Sequence, residues 1–259
     1  MPALLSPLLL LLLPLATADY TAAIIQYSSN SPPSPTTESI IALNLLYYND
    51  KAAEAAAKSA DIITFPEWGL FGTSGPANHR ETMAPFCEDM EDSSTLTKLK
   101  QIAVDNAIVV VANVCEKVVD DDQNELLYNT EVAIAADGTL LAKYHKMHPF
   151  FPKTFDTPPE EEDVTFEAFG VTFGLFVCYD LLHSTPQTAL LSQGVRHFPY
   201  SVALPSLLLS KEYYQHWSKS NNATLLASNL GPVGGGGIFV RGEAVVHERA
   251  DMVIATVAT

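Results

Sequence analysis

Phe173 to Leu182 reads "FGLFVCYDLL". The residues before the cysteine are apolar except for one glycine, and an acid stands two places after it. A buried structural thiol explains the apolar run. A catalytic thiol explains why the run stops where it does. The decision depends on what surrounds it in the chain.

Outward from this stretch, apolar runs of strand length alternate with helix-like segments. Strands are expected at Ala22–Tyr27, at Asp61–Pro66 (ended by the proline), at Ala107–Val114, at Val171–Asp180, at Val195–Val202 and at Ala223–Leu230. Helices are expected at Asn49–Ala60, at Ser93–Asn106 with a serine at its start, at Thr185–Gly194 and at Glu212–Ser220. Asn129–Lys146 reads as a hairpin turned at Asp137-Gly138, and Gly237–Glu248 as a closing hairpin. Ser28–Ser39 is a loop, because its prolines remove backbone donors and its polar residues favour turns. The alternation predicts an α/β fold whose largely parallel sheet is made mixed by the hairpins. In such folds chemistry gathers at the carboxyl ends of strands.

Three reactive side chains stand at such ends. Glu67 follows "DIITFP" and precedes Trp68; burial there makes a carboxylate a useful base. Lys146 ends the hairpin. Period-two alternation places Leu140, Ala142, Tyr144 and Lys146 on one face and Leu141, Lys143 and His145 on the other, so Lys146 points inward and Lys143 outward. Cys178 ends the opening stretch, where a nearby cation and base make a thiol nucleophilic. Singly, each has a commoner reading: a solvated Glu, a snorkelling Lys, a core Cys. Their convergence favours the catalytic one.

Composition bounds the rest. The chain has 259 residues, is 47% hydrophobic and carries a net charge of −16, which suits one sizeable core and one domain or at most two. The acids cluster at Glu88–Asp92, Asp120–Asp122 and Glu160–Asp163, runs expected to be solvated loops. They argue against nucleic acid and anionic membrane surfaces as partners. Met1–Ala18 is a leucine run bounded by prolines and ended by Ala16-Thr17-Ala18. It reads as a cleaved signal peptide over residues 1–18, a signal anchor being the other reading. No later segment is long enough to span a membrane. His145 and His148 fall on opposite faces of a strand, so no metal pair is expected. Gly231–Gly237 lacks the Lys-Ser/Thr of a phosphate loop and reads as a turn beside the site. Asn222-Ala223-Thr224 is a glycosylation sequon at a helix–strand junction.

The segments "FPEWGLFG" (Phe65–Gly72), "AKYHKMHPFFPKTFDTP" (Ala142–Pro158) and "GLFVCYDLL" (Gly174–Leu182) resemble the three motifs of the nitrilase, or carbon–nitrogen hydrolase, superfamily. Within it the likeness is to the biotinidase and vanin (pantetheinase) branch, extended by Leu126–Lys146 and by "LLASNL" and "GGGGIF". The resemblance implies a four-layer αββα sandwich with mixed sheets and helices outside. It makes Glu67 the general base, Lys146 the oxyanion stabiliser and Cys178 the nucleophile. The backbone N–H of Tyr179 becomes a second oxyanion donor, and Asp180 orients the turn. The implied reaction hydrolyses a small non-peptide amide through a thioester, with no metal or organic cofactor. A catalytically degenerate binding protein of the same fold is the alternative.

Two departures from the family pattern stand out. No acid follows Lys146 within Met147–Phe155, and Phe198–Leu204 reads "FPYSVAL" where the branch usually has Thr-Ala-Trp. Residues 19–259 are expected to form one carbon–nitrogen hydrolase domain, without the further C-terminal domain of the vanins, in a secreted chain. With three cysteines, an oxidising compartment and Cys178 reserved for catalysis, Cys87 and Cys115 are expected to pair.

Overall fold

The first strand, β1 (Tyr20–Ile25), turns Tyr20, Ala22 and Ile24 to one face and Ala23 and Ile25 to the other, and all five are buried. A strand buried on both faces needs cover on both sides. The computed structural model describes residues 19–72, 78–204, 211–231, 235–245 and 250–259; the expected signal peptide lies outside them.

Beyond β1 the chain forms α1 (Thr37–Ala57), β2 (Ile62–Thr64), α2 (Arg80–Met83), α3 (Ser94–Asn106), β3 (Val109–Val119), β4 (Glu125–Ile134) and β5 (Leu140–His145). It continues through β6 (Thr165–Ala168), β7 (Val171–Gly174), α4 (Gln187–Ser192), β8 (His197–Ser201), α5 (Lys211–Ser220) and β9 (Thr224–Ser228). The last strands are β10 (Gly237–Val240), β11 (Glu243–Val245) and β12 (Met252–Val257). Two six-stranded sheets result, ordered β12-β1-β2-β3-β4-β5 and β11-β10-β9-β8-β7-β6. Each has a parallel centre, β1-β2-β3 in one and β7-β8-β9 in the other, with antiparallel flanks.

The sheets face one another. Ala22, Ile24, Val111, Ala133 and Tyr144 of the first share a core with Phe173, Leu226 and Ile238 of the second. Helices α1 and α3 cover the other face of the first sheet, where Tyr48, Ala52, Leu99 and Ile102 meet Ala23, Ile25, Ile63 and Val110. Across the second sheet, Trp217 of α5 packs edge-on against Phe176 and Phe198, and Tyr214 against Phe239. This is the four-layer αββα arrangement.

Local chemistry explains the element ends. Helix α1 starts twelve residues before Asn49, where sequence periodicity placed it. The reason is a reciprocal cap: the Ser39 N–H donates to Thr36 Oγ1 at 3.2 Å and the Thr36 N–H to Ser39 Oγ at 2.8 Å. The polar loop thus carries its own helix start. Ser93 caps α3 by accepting the Leu96 N–H at 2.9 Å. Strand β7 is shorter than expected. It ends at Gly174, where a Cβ would lie 2.8 Å from the Phe198 ring; the Leu175 N–H still donates to the Val164 carbonyl at 3.0 Å, and the chain then runs to a 3₁₀ turn over Cys178–Leu182. Cys178 therefore opens a turn rather than closing a strand. Strands β6 and β12 were not anticipated; β12 pairs antiparallel along the whole of β1. A register shift between Ala133 and Ile134 also moves Leu140 to the helix-covered face and Leu141 to the inner one, reversing the alternation at that end of the hairpin. From Ala142 onward the predicted phase holds.

The structure joins Cys87 to Cys115 and leaves Cys178 free and buried. The bond closes a 28-residue separation. Loop-closure entropy assigns about 3–4 kcal/mol to such a crosslink. The double substitution Cys87→Ala, Cys115→Ala is expected to lower unfolding free energy by that amount in urea denaturation; an unchanged midpoint would refute a bonded pair. Among the described residues, no helix is long and apolar enough to cross a membrane. In the sequon, Asn222 is exposed in the turn after α5, whereas Thr224 is buried in β9.

Candidate active site

The carboxyl ends of β2, β3, β5 and β8 lie on one edge of the sandwich, and the inner face changes there from apolar to polar. Along β3 it runs Val111, Asn113; along β4, from the site outward into the core, Asn129, Glu131, Ala133; along β5, Ala142, Tyr144 and then Lys146. Asn113, Asn129, Glu131 and Lys146 are all buried. Buried polar groups persist only when hydrogen-bonded, and charges only when paired.

These groups satisfy one another around Glu67, which has no exposed surface. Its Oε1 accepts from Lys146 Nζ at 2.6 Å and from Asn129 Nδ2 at 2.7 Å. Asn129 Oδ1 in turn accepts from Asn113 Nδ2 at 2.6 Å, and Asn113 Oδ1 takes the Trp68 N–H at 3.1 Å. Glu67 Oε2 is buried outside these bonds. The Cys178 thiol faces the Glu67 carboxylate on one side and the Ala203 N–H on another.

Backbone shape delivers both groups. Trp68 has φ +57° and Cys178 φ +48°, left-handed conformations that cost a non-glycine residue about 1–3 kcal/mol each. The surrounding hydrogen bonds hold them. Tyr200 Oη donates to the Cys178 carbonyl at 2.7 Å. Asp180 does more than orient its own turn. Its carboxylate accepts the Val177 N–H at 2.9 Å, the Tyr144 hydroxyl at 2.8 Å and the His148 N–H at 2.8 Å. It thus ties the cysteine turn of one sheet to the lysine end of the other. Tyr179 packs its ring against Phe150 and His183, and its backbone lies in the first turn after the sulfur.

The electrostatics are those of a dry ion pair with a neutral thiol beside it. Burial works against a charged Lys146, but Glu67 alongside holds its pKa above the ordinary value. Burial, then Glu67, push the Cys178 thiol well up, against a smaller downward pull from Lys146. The thiol therefore rests protonated, and its proton must leave as the sulfur attacks. Burial also raises the Glu131 carboxyl to about 8.

Above the sulfur lies a pocket of about 140 Å³ lined by Trp68, Phe150, Phe151, Ala203, Leu204 and Leu230, with Glu67 and Cys178 at its base. A larger cavity of about 530 Å³ runs between α1 and α3, remote from this chemistry. Size is the weaker guide here, because only the smaller pocket reaches the buried charged pair and the thiol.

The structure brings Glu67, Lys146 and Cys178 together. It sends Lys143 elsewhere, to Glu116 at 2.5 Å. His145 is clamped between Glu116 and Glu162, whose hydrogen bonds overcome burial and raise it to about 9; His148 leans on Asp180. Of the glycine-rich turn, Leu230 just before it reaches the pocket, and residues 232–234 lie outside the described residues. Asn113, Asn129, Glu131, Ser201 and the Ala203 N–H were missed in the sequence. The available signal was a polar side chain at an inward position of an otherwise apolar strand, as in "NTEVAI".

The site thus sets a buried Glu–Lys pair and a turn-borne thiol at one edge of an αββα sandwich. The chain belongs to the carbon–nitrogen hydrolase family, whose model matches residues 21–223. It is 32% identical to the biotinidase of Takifugu rubripes across 92% of this chain and 55% of that protein. It is 28% identical to the pantetheinase of Homo sapiens across 82% and 47%. The chain thus spans about half the length of the curated relatives it matches. Among solved structures, a mutant of the Nesterenkonia AN1 amidase from the nitrilase superfamily superposes with a TM-score of 0.72 at 18% identity, covering 93% of this chain and 91% of that one. The glutamine-dependent NAD+ synthetase of Acinetobacter baumannii gives 0.71 at 17% identity over 92% of this chain and 45% of its own. At such identity the likeness shows the fold.

Proposed function

We propose that the protein is an amidohydrolase that cleaves a small non-peptide amide through a thioester on Cys178. One observation carries this reading: a buried carboxylate, paired with a buried lysine, faces a buried thiol at the base of an apolar pocket. Glu67 takes the thiol proton as the sulfur attacks the amide carbon. Lys146 and the Tyr179 N–H hold the oxyanion, each such donor being worth about 3–4 kcal/mol. Collapse breaks the carbon–nitrogen bond, and the amine leaves with the proton from Glu67. Water then gives a proton to Glu67 and attacks the thioester, and the departing sulfur takes that proton back. The residues present complete the cycle without a cofactor.

The pocket wall is aromatic and aliphatic, which suits an uncharged acyl chain. The relatives named biotinidase and pantetheinase support a biotinyl- or pantetheine-type amide. The leucine-rich start, the Cys87–Cys115 bond and the exposed Asn222 support a secreted, glycosylated chain whose residues 19–259 are one hydrolase domain. The test is a panel of amides, including pantetheine and biocytin, assayed for amine release by the purified chain. Release from at least one is expected, and none from the Cys178→Ala variant. A folded protein that releases amine from no member would be a binding protein of this fold instead.

A further inference from the structure

Ser201, the last residue of β8, reaches across to the first sheet. Its Oγ lies 2.6 Å from the Phe65 carbonyl oxygen and 2.5 Å from Glu131 Oε1. Ser201 and Glu131 are both fully buried. A serine hydroxyl brings one proton, and a peptide carbonyl brings none. Two contacts of hydrogen-bond length along the line Phe65 O, Ser201 Oγ, Glu131 Oε1 need two protons. Ser201 supplies the first. The only other group on the line able to carry one is the Glu131 carboxyl. An ionised Glu131 would leave two lone-pair-bearing oxygens pressed together in a dry site.

We infer that Glu131 is held as an un-ionised carboxylic acid and that, through Ser201, it is a positioning residue for Glu67. The inferred chain runs from the Glu131 O–H to Ser201 Oγ, and from the Ser201 O–H to the Phe65 carbonyl. Phe65 precedes Glu67 by two residues. On the other side, Asn113 holds the Trp68 N–H. The backbone that carries Glu67 is therefore gripped before and after by two inward side chains of neighbouring strands. The neutrality of Glu131 also leaves Glu67, with Asp180 further off, to balance the Lys146 charge.

Glu131 is surrounded as follows. Glu67 disfavours its ionisation and Lys146 favours it. Tyr48 lies near it on α1; burial, then Tyr27, raise that phenol, and Glu131 adds a smaller push. Tyr144 stands opposite it on β5, turned to Asp180, and β3 contributes Asn113, whose Nδ2 is 3.4 Å from Oε2. When Glu131 loses its proton to solvent, the single Ser201 proton turns to the carboxylate and releases the Phe65 carbonyl. A second anion then stands beside Glu67. Activity should fall as pH rises through about 8.

The tests use the purified full chain and its E131Q, E131A and S201A variants. Infrared spectra at pH 6.5 should contain the carbonyl stretch of an un-ionised acid that E131Q lacks. The native carboxyl keeps its proton where the unfolded one has lost it, so this group's contribution to stability declines from the ordinary carboxylate range up to about 8. The Tm of E131Q relative to wild type should therefore rise across that window and level off above it. No such infrared band together with a flat Tm difference would overturn the un-ionised acid, whatever the activity. Alkylation of Cys178 by iodoacetamide reports the base without any amide substrate. It should slow about tenfold in E131A and S201A, as expected for a misplaced group. E131Q keeps an N–H donor to Ser201; it should restore the rate and remove the alkaline fall in turnover. Unaltered alkylation in both E131A and S201A, or an alkaline fall that persists in E131Q, would refute the positioning role. The role of Glu67 as base rests on the proposed function. If no amide is hydrolysed while the infrared, thermal and alkylation results stand, it is the substrate reading that fails.

Discussion

Cys178→Ala is expected to abolish amine release, by at least about four orders of magnitude in kcat, while the protein still folds. The substitution removes the one atom that forms the thioester and leaves the turn in place. The anchors of that turn are the Cys178 carbonyl, held by Tyr200, and Asp180, held by Val177, Tyr144 and His148, none of which involves the sulfur. The stability cost is that of a small buried void, about 1 kcal/mol. Amine release and thermal unfolding measured on one preparation check both halves. Turnover at the wild-type level would place the nucleophile elsewhere.

Lys146→Ala combines two losses. Removing an oxyanion donor should lower kcat at least about a hundredfold. Removing the cation also leaves Glu67 buried beside Asn129 with no opposite charge, and a broken buried pair costs about 3–5 kcal/mol. Lys143→Ala, three residues earlier, should do neither. Its side chain is about one-third exposed, and its partner Glu116 keeps bonds from His145 and Thr130, so the loss is that of a half-solvated ion pair, about 1 kcal/mol or less. Parallel kcat/KM and urea measurements decide the point. The opposite ranking of the two lysines would overturn the inward phase of β5 at its carboxyl end.

That ranking could be read from the chain because strand alternation is local: Ala142, Tyr144 and Lys146 share a face whatever packs upon them. The same locality made the Ser93 cap, the Asp137-Gly138 hairpin and the helix–strand alternation legible. It failed where a distant partner decides. Leu140 changed faces because the irregularity that moves it arises in the pairing with β4. Strand β12 is short and mixed by itself, and becomes a strand because β1, more than two hundred residues earlier, offers a free edge. The apolar run before Cys178 looked like strand throughout, yet it leaves the ladder after Leu175 and enters a turn that Asp180 fastens to the opposite sheet.

The site divides in the same way. Residue type and position at element ends were enough to single out Glu67, Lys146 and Cys178. Asn113, Asn129, Glu131 and Ser201 were invisible in the sequence, because burying a polar side chain is tolerable only when its partner is known, and the partners lie 16 to 136 residues away. Hydrophobic periodicity, a property of neighbouring residues, located most of the elements, and residue type at their ends singled out the three reactive groups. Only the facing of two sheets, a matter of pairing between remote strands, decided which polar groups meet beneath them and how Glu67 is held.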